Sequence, residues 1–173
     1  ISEGDFPAIS PDNKVVAYIK DGQPWVSKLD TSANEDFLDV PVRLFKTRGI
    51  VHSLTWAPGG KKIAFVADRQ DHSFVGYFEL GKANLNFVDP TFANDFSPKW
   101  SPDGSQLAYI RTPAEGGSTD SLTQRKRIPW SIRKVSLVAG EKSSLVWEAP
   151  NTYRGSLPTT HGGTNLHWQI GRA

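Results

Sequence analysis

One short pattern recurs along this chain and constrains the fold more than any other feature. Asp5-Phe6-Pro7-Ala8-Ile9-Ser10-Pro11-Asp12-Asn13 precedes the apolar run Val15-Val16-Ala17-Tyr18-Ile19. His52-Ser53-Leu54-Thr55-Trp56-Ala57-Pro58-Gly59-Gly60 precedes Ile63-Ala64-Phe65-Val66. Phe96-Ser97-Pro98-Lys99-Trp100-Ser101-Pro102-Asp103-Gly104 precedes Leu107-Ala108-Tyr109-Ile110. The prolines Pro11, Pro58 and Pro102 lie 47 and 44 residues apart. Each copy reads as a tight hairpin. Proline pre-sets φ at the first central turn position, aspartate accepts local backbone N–H groups at the second, and glycine takes the left-handed position that follows. Asn13 stands for that glycine in the first copy, and Asn tolerates the left-handed region better than most residues.

Each period holds further short strands. Blade-sized sets are Val15–Lys20, Trp25–Leu29 and Val42–Phe45; then Ile63–Ala67, Phe74–Leu80 and Leu85–Val88; then Gln106–Arg111, Trp130–Leu137 and Ser144–Trp147. Periods of about 40 to 50 residues with several strands each are the signature of propeller blades. The expectation is an all-β chain: a partial β-propeller of about three four-stranded antiparallel blades plus the start of a fourth. The blades divide at 1–50, 51–94, 95–164 (with long loops) and 165–173, the last opening at Asn165-Leu166-His167-Trp168. Helix is expected at most as a turn or two in Thr31–Asp39 or Thr112–Gln124. Trp56, Trp100 and Trp168 share one offset from the turn, so one register buries all three between blades, with Ile9 as the smaller first-copy plug. Three blades cannot close a ring. With no methionine and a structured start at Ile1, the chain reads as an interior piece of a longer polypeptide.

Composition narrows the function classes. A net charge of +2 gives no field that argues for nucleic acid. No apolar run approaches the roughly 20 residues that span a bilayer. The absence of cysteine excludes a disulfide framework and thiolate chemistry, and leaves periplasmic, secreted and cytoplasmic locations all open.

The turn chemistry separates propeller families. No Trp-Asp dipeptide or Gly-His pair occurs, against WD40; Gly104 follows Asp103 directly, against a sialidase Asp box. The three copies resemble the PD40 repeat of the TolB propeller and of the N-terminal propeller of prolyl oligopeptidase-family (S9) serine peptidases. Pro129-Trp130-Ser131-Ile132-Arg133-Lys134-Val135, Gly140-Glu141, Trp147 and Gly163-Thr164-Asn165-Leu166-His167-Trp168 look like the blade succession of dipeptidyl-peptidase-like and acylaminoacyl-peptidase-like members. Gly59, where aspartate is usual, and Asn13 depart from the repeat. The resemblance implies a non-catalytic segment that caps a C-terminal α/β-hydrolase domain and gates short peptides to it. Its partners would be that domain, the remaining blades and the peptide substrates. The alternative is a TolB-like or free-standing interaction propeller.

The chain itself lacks catalytic apparatus. Gly116-Gly117-Ser118-Thr119-Asp120 misses the last glycine of a Gly-x-Ser-x-Gly elbow and lies in a polar loop. His52, His72, His161 and His167 show no metal-ligand spacing, and no cofactor or metal is expected. Asp68, Asp71, Asp95 and Asp103 read as turn formers. The one concentrated charge is Arg125-Lys126-Arg127, in an 18-residue connection that is long for a compact blade. Its default is a solvated loop. The sharper alternative makes Arg125, Lys126, Arg127 and Trp130 the candidates for contact with substrate or the hydrolase domain.

Overall fold

The computed structural model describes residues 4–29, 40–114, 128–138, 141–155 and 166–168. Twelve strands follow one another: β1 Asp5–Ile9, β2 Val15–Lys20, β3 Gln23–Lys28, β4 Val42–Arg43, β5 Ile50–Trp56, β6 Lys62–Asp68, β7 Ser73–Glu79, β8 Leu85–Phe87, β9 Asn94–Trp100, β10 Gln106–Thr112, β11 Ser131–Ser136 and β12 Ser144–Glu148. Strands β1 to β4 form one four-stranded meander, and β5–β8 and β9–β12 form two more. Among the described residues helix is limited to a 3₁₀ turn at Tyr153–Gly155. Residues 31–39 and 115–124, most of the loops where a helical turn was expected, lie outside the described residues. The sheets are antiparallel with one exception. A single parallel pair, Ser73↔Asn94, ties β7 to β9 and joins the second and third meanders. Ser73 makes the join itself, donating its N–H to the Ala93 carbonyl at 3.3 Å and its hydroxyl to the Asp95 carbonyl at 2.8 Å.

The turns close as their residues dictate. Asn13, Gly60 and Gly104 donate to the Ser10, Ala57 and Ser101 carbonyls, each at 2.9 Å, and have φ of 57°, 67° and 70°. In the third copy the Ser101 hydroxyl and the Ser105 N–H both donate to Asp103 Oδ1, at 2.5 and 3.1 Å. Ser10, Lys14 and Asp12 repeat this in the first copy. The second copy has Ala57 and Gly59 at the two positions, so hydroxyl and carboxylate are missing together.

Burial follows from stacking the blades face to face. Strand β6 lies in the middle blade, and its alternating side chains divide between two cores. Ile63, Phe65 and Ala67 join Ala17, Ile19, Val51, Trp56 and Phe78 on the side of the first blade. Ala64 and Val66 join Val75, Trp100, Leu107, Tyr109 and Val135 on the side of the third. A strand buried on both faces reads as an unbroken apolar run, and Ile63–Ala67 is one.

The three tryptophans share one hydrogen bond, and Trp56 and Trp100 also share one register, opposite Ile63 and Leu107. Trp56 Nε1 donates to the Ala8 carbonyl at 2.9 Å, Trp100 Nε1 to the Thr55 carbonyl at 3.0 Å, and Trp168 Nε1 to the Lys99 carbonyl at 2.9 Å. Ala8, Thr55 and Lys99 immediately precede the plug positions Ile9, Trp56 and Trp100. Every indole therefore reaches back to the same backbone atom of the preceding copy. Trp56 and Trp100 are buried at 9% and 8% exposure, Trp168 is half-buried, and Ile9 is exposed. A second regularity lies three residues before each plug. Phe6, Ser53 and Ser97 have φ of 54°, 56° and 54°, where the first strand of each blade slips register against the second. It is a repeated β-bulge.

Trp100→Phe keeps most of the ring and leaves the half-buried Thr55 carbonyl without its indole donor, so urea denaturation is expected to show a loss of about 0.5–1.5 kcal/mol. Trp100→Ala, which empties the site, should cost about 3–5 kcal/mol. The third turn also predicts a pH dependence. The Ser101 and Ser105 hydroxyls and the Ser105 N–H hold Asp103 at about 2. Its folded pKa lies below the unfolded value of about 3.9, so its contribution is complete above that pH and is lost as pH falls toward 2. The urea midpoint of Asp103→Asn should be flatter than wild type over that window.

Candidate functional site

The two hairpins β6–β7 and β10–β11 open at corresponding ends, opposite the repeated turns, and polar chemistry collects there in the third blade. Cross-strand register pairs Asp95 with Arg111. The same register in the second blade pairs Val51 with Ala67. An apolar pair has thus become an ion pair at a wholly buried position, for Asp95 is 0% exposed. Arg111 meets it as a fork, with Nε 2.6 Å from Oδ1 and Nη2 2.8 Å from Oδ2. The guanidinium also reaches the approach to β9, with Nη1 on Asp89 Oδ2 at 3.2 Å and Nη2 on the Asp89 carbonyl at 2.8 Å. The Ser143 hydroxyl donates to Asp89 Oδ2, and Arg133 Nε donates to Ser143 Oγ at 2.7 Å. One chain of polar contacts therefore spans from β9 to the start of β12.

The electrostatics follow from burial and pairing. Burial works against the Arg111 charge, but the hydrogen bonds and charge of Asp95 outweigh it and push the guanidinium up. Burial likewise opposes ionisation of Asp89, yet the Ser143 hydroxyl and Arg111 hold that carboxyl below its ordinary range. Burial also pushes the Tyr109 phenol up, against the opposing pull of Ser143.

Beside this network lies a cavity of about 340 Å³, lined by Ala93, Arg111, Pro129, Trp130, Arg133 and Glu148 among others. Trp130 stands just before β11 rather than inside a strand, and its ring packs on Trp147 at 4.8 Å between centroids. Of the four candidates from the sequence, Trp130 is brought to a cavity beside two guanidinium groups. Arg125, Lys126 and Arg127 lie outside the described residues, in the connection between β10 and β11 that leaves from this same end.

The aspartates need one correction. Asp103 and Asp68 do form turns, Asp68 Oδ1 accepting the Gln70 N–H at 2.9 Å. Asp95 does not: it is a strand residue, buried and forked to Arg111. The sequence held the signal. Aligning the copies sets Asp95 against Val51 and Arg111 against Ala67, two departures at positions that the register pairs. Of the histidines, His52 Nδ1 lies 2.9 Å from Ser53 Oγ, and burial pushes His52 down against the pull of Asp68. His161 lies outside the described residues. Among the described residues no group of three His, Cys, Asp or Glu could hold a metal ion. The Ser143 hydroxyl faces a carboxylate rather than a histidine. What the cavity offers is recognition: flat aromatic surface and hydrogen-bond donors.

These blades define a β-propeller fold, and the comparisons with known proteins agree. No family model matches the sequence, and no curated protein matches it. Solved structures do. A TolB-like protein from Agrobacterium tumefaciens is similar at 15% identity and a TM-score of 0.61, over 86% of this chain and 51% of that one. The tricorn protease is similar at 12% identity and a TM-score of 0.64, over 82% and 14%. Pyrococcus horikoshii acylaminoacyl peptidase is similar at 13% identity and a TM-score of 0.52, over 86% and 25%. At such identities the likeness is one of fold. The chain spans about half of the first of these structures and a smaller share of the other two.

If the Asp95–Arg111 pair acts as a unit, removing both partners should cost less than removing Arg111 alone. Arg111→Ala leaves a buried carboxylate unpaired and should cost about 3–5 kcal/mol. The double variant Asp95→Val/Arg111→Ala restores the apolar pair of the second blade and should recover most of that loss. Urea denaturation of the two variants measures the difference.

Proposed function

We propose that this chain is a non-catalytic propeller segment that caps, and gates substrate access to, the α/β-hydrolase domain of an S9-type serine peptidase acting on short peptides. The observation that carries the reading is the PD40-type turn, repeated at Pro11, Pro58 and Pro102 on a fold that acylaminoacyl peptidase shares. We divide the blades at 1–50, 51–94, 95–164 and 165–173. The long third-blade connection, with Arg125, Lys126 and Arg127, is then the segment that meets substrate or the hydrolase domain. Trp130 at the foot of that connection supplies an aromatic face beside Arg111 and Arg133. Loops set on a rigid scaffold are where recognition concentrates.

The likeness to a TolB-like protein favours a second reading, a free-standing interaction propeller. Fold alone does not choose between them. The coding sequence downstream does: a Gly-x-Ser-x-Gly followed by Asp and then His supports the peptidase cap, and its absence supports the scaffold. The functional test is a peptidase assay on the full-length protein, wild type against Arg125→Ala/Lys126→Ala/Arg127→Ala, with a thermal melt alongside. KM or selectivity for charged peptides should change while the melt stays within about 1 kcal/mol per charge removed. Unchanged kinetics on charged and neutral peptides would return the loop to plain solvated surface. The 173-residue chain alone should show no peptide hydrolysis.

A further inference from the structure

The second blade carries a basic cleft at the end that corresponds to the Trp130 cavity. It has a volume of about 610 Å³, and its lining sets Arg48, Arg69 and His72 against the single carboxylate of Asp68, with Gly49, Ile50 and Gln70. Among the described residues neither Arg48 nor Arg69 has a carboxylate within ion-pair distance. Arg48 is exposed. Arg69 is held: its guanidinium lies over Phe74 at 5.7 Å and Phe87 at 6.0 Å, and Nη2 donates to Thr47 Oγ1 at 3.2 Å. Its Nε is buried and has no acceptor. A buried guanidinium N–H without a partner is uncommon, because leaving a charged donor unsatisfied is costly.

The wall that faces Arg69 is fixed as well. The Gln23 side-chain amide grips the segment leading into β5 from both sides, donating to the Gly49 carbonyl at 3.1 Å and accepting from the Thr47 N–H at 3.0 Å. Gly49 has φ of 77°, and a Cβ there would stand 1.8 Å from the Asp68 carbonyl oxygen, so the approach requires glycine. Asp68 is the one acid of the lining, and Asp71 follows Gln70 in sequence. Asp68 Oδ1 accepts the Gln70 N–H, and Asp71 lies 2.6 Å from His72 Nδ1, within ion-pair distance though not aligned for a hydrogen bond. Ile50, 61% exposed, offers an apolar surface beside the arginines.

We propose that this cleft binds a peptide carboxylate, seated between Arg48 and Arg69, with the adjoining apolar side chain resting on Ile50. A planar guanidinium presents donors matched to a carboxylate, and such charge-assisted bonds are stronger than neutral ones. The carboxylate comes from a peptide C-terminus or from an acidic side chain. The site stands independently of the peptidase reading, since binding to this chain is measured without any catalysis.

The test is titration of the ¹⁵N-labelled 173-residue chain with three peptides: an N-acetyl-leucyl-leucine free acid, its C-terminal amide, and N-acetyl-leucyl-glutamic acid α-amide. At least one acid peptide should bind saturably, with shifts at the Gly49 and Gln70 amides, and the neutral amide should not. The acid that binds identifies the source of the carboxylate. Arg69→Gln should weaken binding by about tenfold or more, the loss expected for one charged hydrogen bond. Because Arg69 also packs on two phenylalanines, the exposed Arg48→Gln, with an unchanged melt, is the second variant and should weaken binding as well. Equal binding of all three peptides, binding by none, or wild-type affinity in folded Arg48→Gln and Arg69→Gln would each overturn the site.

Discussion

The indole-to-carbonyl bond is the contact on which the stacking of this structure depends. A blade of four short strands cannot bury its own faces, so its stability lies in what it stacks against. Flat apolar faces set the distance between stacked sheets and leave their lateral position loose. A hydrogen bond from Trp100 to the Thr55 carbonyl removes that freedom, since a slip would break a bond that is largely shielded from water. The indole supplies bulk and the N–H supplies register. The bulge three residues earlier serves the same end. Placing Phe6, Ser53 and Ser97 in the left-handed region strains each residue, but it bends each first strand next to the carbonyl that the following indole uses.

The Asp95–Arg111 pair illustrates a different economy. The second blade fills the same cross-strand position with Val51 and Ala67, so the fold does not require charge there. Buried ion pairs are weak contributors to net stability compared with apolar isosteres. What Arg111 gains is reach. Its fork on Asp95 leaves it able to hold Asp89 as well, and through Ser143 the contact extends to Arg133. Apolar side chains could fill the space but could not bind the approach to β9 and the start of β12 to one point.

Much of the architecture was legible in the sequence, for reasons that differ by residue. Pro102, Asp103 and Gly104 have backbone preferences strong enough to name a turn, and their repetition gave the blade period. Trp56, Trp100 and Trp168 were legible as equivalent because their offset from the turn is constant. Their acceptors were not, since every residue has a carbonyl and none marks itself in a sequence. The bulges were hidden for a related reason: Phe6, Ser53 and Ser97 share a conformation but no chemistry. Asp95 was misread because an aspartate near a strand end is most often a turn former, and only the cross-strand register reveals its partner. Trp130 lines a cavity, whereas the Arg125–Arg127 segment lies outside the described residues. The Arg69 cleft went unseen because Arg48 and Arg69 are ordinary surface residue types until the linker from Thr47 to Gly49 brings them to one cleft.

The tryptophan contacts all point the same way, from a later copy to an earlier one, and this gives the stack a direction in time as well as in space. A ribosome delivers the chain at about 5–20 residues per second, so successive tryptophans emerge several seconds apart. During each interval one inner carbonyl of the newest copy is present before the indole that will bind it. Stacking in that order leaves an unfinished face that advances along the chain, and each arriving indole closes the gap left by the blade before it.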